Sequence, residues 1–237
     1  MELSDKRIEE SIEKYYSLIN KDEYARYKSW EHCYLNFAKA KDCNDDETID
    51  YLSLHLAFYL ASWGMLRNSF LLEKDYRVHI PAIKILKKDE YKFLYGISID
   101  KFLDGNNILS YLKLIDELRT YYKKQKDTVK TNDRETSDTL ITKVLLGVFG
   151  CVPAFDRYFT QAITDYNIAE AKIDCLGPYK KLIEFYNQHK NLLENKREQI
   201  NKNGIIYPQM KMLDILFWQV GFDDEIEKKK KSKGASK

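Results

Sequence analysis

Apolar residues at three- and four-residue spacing run through this chain in long stretches that glycine and proline seldom interrupt. With 9 Gly and 4 Pro in 237 residues, there are few places where a helix must stop. The spacing predicts a single all-α domain of about nine or ten helices, with a run of polar residues at 123–136 marking a boundary between two lobes that flank a central cleft. The predicted domain covers 1–227, with a disordered Lys-rich tail at 228–237.

Hydrophobic residues at 44% and charged residues at 32% describe a globular chain, long enough to bury a core. The last ten residues hold six lysines and no acid, so the net charge of +2 leaves about −4 on the rest. An acidic body argues against non-specific nucleic-acid binding over the whole surface, though not against a local basic face. The tail adds phosphate affinity or serves only solubility. Cys33, Cys43, Cys151 and Cys175 form no close pair, and with no secretory signal read at the start a reduced, cytoplasmic protein is expected. The apolar segment Leu52–Leu66 is too short and too interrupted for a membrane span, so no membrane partner is expected.

Ser4 caps a predicted helix to Asn20 and Asp22 a second to Lys41, with a third from Ile49 to about Leu72. On the third helix His55, Tyr59, Trp63 and Arg67 recur every four residues, which places them along one face. Such a face either lines a pocket, with Tyr59 and Trp63 walling a planar ligand and Arg67 meeting a phosphate, or packs as ordinary core. Later predicted helices run from Ile108 to Lys124, Pro178 to Arg197 and Pro208 to Val220.

The most informative stretch is Asp138–Phe159. An apolar helix ends at Gly150, and Pro153 opens the next helical turn, with Asp156 and Arg157 just inside it. A carboxylate at a helix N-terminus is either a cap or a reactive charge. The sequence contains no Gly-rich phosphate loop, GxSxG elbow, CxxC or HExxH. The four histidines are scattered, so neither a metal nor a cofactor is expected.

The string TKVLLGVFGCVPAFDRYF resembles the Asp-bearing segment of helix-hairpin-helix DNA glycosylases. The chain also looks like the bacterial antiphage glycosylases that excise modified bases from phage DNA. The resemblance implies Asp156 as the catalytic aspartate and Lys143 near the amine nucleophile that some members use. The family's closely spaced hairpin glycines are absent before Lys143, where RETSDTLI stands.

The function that follows is excision of a modified base by N-glycosidic hydrolysis, with an aspartate steadying an oxocarbenium-like sugar. DNA is the partner, and Tyr59, Trp63, Arg67, His55, Arg157 and Tyr158 are the substrate-binding candidates. Two alternatives stand beside it. Arg26-Tyr-Lys-Ser-Trp-Glu-His32 resembles the signature of HEPN ribonucleases, and the Tyr-rich helical surface suits an interaction or regulatory module.

Overall fold

The computed structural model describes residues 3–129, 137–201 and 205–234. Among them are eleven α-helices, three short 3-10 turns and no strand, the all-α architecture that the apolar spacing predicts. The predicted lobe boundary at 123–136 lies partly outside the described residues.

The first helices follow their caps. α1 (Asp5–Asn20) starts at Ser4, whose hydroxyl accepts the Arg7 N–H, and buries Ile8, Ile12, Tyr15 and Ile19. The second helix starts later than its sequence suggests. Asp22 accepts the Tyr24 N–H in a turn, and α2 spans Lys28–Lys39. α3 (Asp46–Ser62) is capped by Asp45 and ends ten residues short of Leu72. Trp63 is its C-cap, and Gly64 follows at φ +76°, a left-handed turn that glycine adopts at no steric cost.

α4 (Ile80–Leu86), α5 (Ile99–Phe102) and α6 (Gly105–Lys126) cover one side of the core. α7 (Asp138–Val148) is the innermost helix, buried from Leu140 to Val148 and packed against α2, α3 and α6. α8 (Arg157–Asp165) lies across the C-terminal helix. The stretch expected as one helix from Pro178 to Arg197 is two, α9 (Leu176–Gln188) and α10 (Lys190–Ile200), which break at His189.

α11 runs from Gln209 to Gly234, so most of the stretch predicted as a loose tail continues the last helix. Ion pairs to α1 and α8 root that extension. Asp223 accepts from Lys14, Asp224 from Arg7 and Glu225 from Arg157, while Lys228 meets Asp165 at 3.0 Å. No helix among the described residues is long and apolar enough to cross a membrane.

Candidate functional site

Two central helices each carry one buried lysine, and each lysine meets an aspartate. Lys143 Nζ donates to Asp156 Oδ2 at 2.9 Å, with its side chain 4% exposed and that of Asp156 14%. Lys211 Nζ donates to Asp214 Oδ2 at 2.6 Å, and that pair is sealed, at 3% and 8%. Taking an ion pair out of water costs several kcal/mol per ion before the mutual attraction offsets it. Burial, with the nearby Lys143 charge also opposing protonation, holds the Lys211 amine below its ordinary value despite Asp214.

The two pairs are joined through the segment between α7 and α8. Gly150 turns the chain at φ +65°, and residues 151–156 then form a non-helical connection, bent at Val152 and tightened by the Asp156 N–H donating to the Ala154 carbonyl, that leads to the α8 cap. Side chains satisfy the backbone here. Asp214 Oδ1 accepts the Ala154 N–H at 2.9 Å, and Thr142 Oγ1 accepts that of Phe155 at 2.9 Å. Thr139 donates to the Phe155 carbonyl. Asp156 therefore lies just outside the helix. Its Oδ1 accepts the N–H groups of Tyr158 (3.1 Å) and Phe159 (3.2 Å) while Oδ2 faces Lys143. An aspartate is among the best N-caps, which is why the helix opens at Arg157 and not at Pro153.

Around this pair stand aromatic rings. Lys143 Nζ is 5.0 Å from the Trp63 ring centroid, and the exposed Arg26 guanidinium lies 5.4 Å from the same ring. Trp63 meets Tyr27 and Trp218 edge-on at 5.7 and 5.6 Å, and Trp218 meets Tyr158 at 5.5 Å. Trp218 is buried, but Trp63, Tyr27, Tyr158 and Asp156 are each partly exposed, so the rim reaches water. The Trp63 indole N–H has no hydrogen-bond partner among the described residues. Arg157 sits outside the rim, paired with Glu225 at 2.9 Å and lying over the Tyr158 ring.

Of the residues singled out in the sequence, Lys143, Asp156, Trp63, Tyr158 and Arg157 gather here. Tyr59 is close behind but buried, its ring against Gly147, where an added Cβ would approach it to 2.7 Å. Burial, and then the neighbouring acids led by Asp214, hold its phenol well above the usual value. His55 lies two helical turns back from Trp63, about 12 Å along the axis, beside Tyr51 and Asn36. Its ring is kept below the ordinary imidazole value by burial, with the charge of His32 as the lesser cause. Arg67 is exposed in the turn beyond α3, where the helical spacing no longer applies. Of the pair behind the ribonuclease resemblance, Arg26 lies over Trp63 and His32 is exposed on α2 toward His55.

Tyr27, Trp218, Lys211 and Asp214 were not legible as site residues. Tyr27 sits in a turn where a helix was expected, and QMKMLDILFWQV reads only as an apolar helix. A lysine and an aspartate three apart in that run were the available signal. No group of three His, Cys, Asp or Glu side chains that could hold a metal occurs among the described residues. All four cysteines are free, Cys33 and Cys151 buried and Cys175 partly so. No known protein family, curated protein or solved structure matches the chain.

Proposed function

We propose that the Lys143–Asp156 pair and the rim of Trp63, Tyr27 and Tyr158 form the active centre of a DNA glycosylase-like enzyme that removes a modified base. The observation that carries this reading is a nearly buried amine 2.9 Å from a carboxylate that still reaches water beside an indole face. Asp156 is held at a fixed angle by two backbone N–H groups and one ammonium, a preorganised charge that needs no rearrangement when a cation develops nearby.

In the reaction the C1′–N bond breaks and its electron pair leaves on the base. A water oxygen bonds to C1′, and the proton that water gives up passes through Asp156 to the departing base. Lys143 orients the carboxylate. Extrusion of the nucleotide costs a few kcal/mol, offset by stacking of the base on Trp63 in place of the Arg26 guanidinium. Phage DNA carrying modified bases is the substrate class that this reading names, with no cofactor required.

The test is incubation with plain duplexes and with phage DNA of known base modification, followed by alkali cleavage. Alkali-labile sites that appear with the wild-type chain and vanish with Asp156→Asn support the reading. Absence of such sites on every DNA overturns it.

A second reading rests on a separate observation. Tyr51, Leu54 and Phe58 lie 50%, 46% and 67% exposed along one side of α3, an apolar face that suits a helical interaction module. If that is the only role, Phe58→Glu abolishes partner capture, while Asp156→Asn lowers stability but leaves capture by the folded protein unchanged.

A further inference from the structure

The lysine run after Glu227 is not absorbed by the site chemistry, and its placement is specific. α11 passes α8 so closely at Gly221 that an added Cβ would collide with the Tyr158 carbonyl. Beyond that crossing, Glu225 holds Arg157, and from Ile226 to Ser232 every residue is exposed. Lys228 shares a cavity of about 160 Å³ with Arg157, Tyr158 and Gln161, and with the acids Asp224 and Glu225 that pair with arginines. The basic run therefore leaves the body along α8, between Arg157 in its first turn, which Glu225 holds, and Asp165 at its last residue, which Lys228 meets.

On a helix, Lys228 and Lys231 stand three apart and continue the face that carries Gly221 and Asp224. Four adjacent ammonium groups on one exposed helix repel each other. Among the described residues only two of the four meet an acid, Lys228 at Asp165 and Lys229 at Glu225. The rest of the chain is acidic on balance, so the positive charge is concentrated on this end of α11. A regularly charged polyanion that also enters the rim is the occupant that this arrangement fits.

We propose that Lys228–Lys231, with Arg157 at their root, form a track that holds the phosphodiester backbone of the nucleic acid whose base reaches Asp156. The proposal rests on the base-excision reading and adds the surface that reads the backbone. The track contributes affinity independent of sequence, with a steep dependence on salt.

The experiment is equilibrium binding of the full chain to a fluorescein-labelled 20-base-pair duplex across a salt series. Wild type, Asp156→Asn, Lys228→Gln/Lys231→Gln and the four-lysine Gln variant are compared. Each lysine that no longer neutralises a phosphate lowers the slope of log K against log salt by about 0.9, so the double variant falls by about 2 and the quadruple by more. Asp156→Asn keeps the wild-type slope. Thermal unfolding confirms that the Gln variants fold, since the substituted side chains are exposed.

An unchanged slope and affinity in the quadruple variant overturns the track, even if excision persists. A slope that falls as expected in a protein that excises nothing sinks the excision reading and leaves the track standing. Binding to anionic phospholipid vesicles that depends on the same lysines, with duplex binding unaffected, also overturns it.

Discussion

Lys143 and Asp156, thirteen residues apart in the chain, meet at 2.9 Å because an irregular segment between two helices brings a helix cap onto the side of a buried helix. The cap carboxylate is thus shared between two tasks. One oxygen closes the N-terminus of α8, and the other holds the lysine.

Asparagine caps a helix about as well as aspartate, so Asp156→Asn should keep α8 and lose the charge. Excision should fall by about 10²–10³. Stability should also fall, by about 3–5 kcal/mol where the Lys143 ammonium stays buried without its partner. The double variant Lys143→Met/Asp156→Asn should recover much of that loss while remaining inactive. Denaturant unfolding of the three proteins checks this, and a double variant as unstable as the single one would contradict it.

Replacing Trp63 by leucine should weaken engagement of the extruded base by about 1–3 kcal/mol, roughly 5- to 150-fold in half-saturating enzyme concentration. Single-turnover rates at rising enzyme concentration separate this from a loss of chemistry. The maximal rate should change less than the half-saturation point.

Gly221→Ala should disturb the site from a distance. The atom it meets is the backbone carbonyl of Tyr158, which cannot swing aside as a side chain would. Overpacking of this kind costs about 1–3 kcal/mol, and a chain of this size loses roughly 2–4 °C in Tm per kcal/mol. Gly105→Ala, where nothing lies within 4 Å, should be neutral or stabilising. Differential scanning calorimetry on the two variants tests the contrast.

His79 sets an acid limit on the fold. Its Nδ1 lies 2.9 Å from the Tyr122 hydroxyl, and burial lowers its pKa from 6.5 to about 4. The unfolded chain binds the proton more readily, so the stability from neutral His79 is fully present above about pH 6.5 and is lost as pH falls through about 4. The shift corresponds to about 3 kcal/mol. His79→Gln should flatten the urea-unfolding profile between those pH values relative to wild type, since the carboxylates titrate alike in both proteins. Parallel profiles would contradict the assignment.

The helical architecture was legible because spacing and caps are local: Ser4, Asp45 and Ser137 each accept a backbone N–H three residues on. What failed was continuity. Four-residue spacing carried Trp63 and Arg67 onto one helix face, but Gly64 ends the helix between them. The Lys-rich end read as a solvated tail, since its ion pair to Asp165 forms only once α8 and α11 pack, although the Glu225–Lys229 pair is local to the helix. Lys143, Asp156, Trp63 and Tyr158 were legible as residue types. Tyr27, Trp218, Lys211 and Asp214 were not, because they join the site from distant segments that read as ordinary helices.

The most direct measurement counts abasic sites in modified phage DNA after a single turnover, using an aldehyde-reactive probe. Wild-type protein should generate sites above the untreated DNA, and Asp156→Asn should generate them at least about 10²-fold more slowly. Equal rates from the two proteins, or no sites from the wild type on any DNA, would contradict the assignment of Asp156 as the charge that steadies the sugar cation.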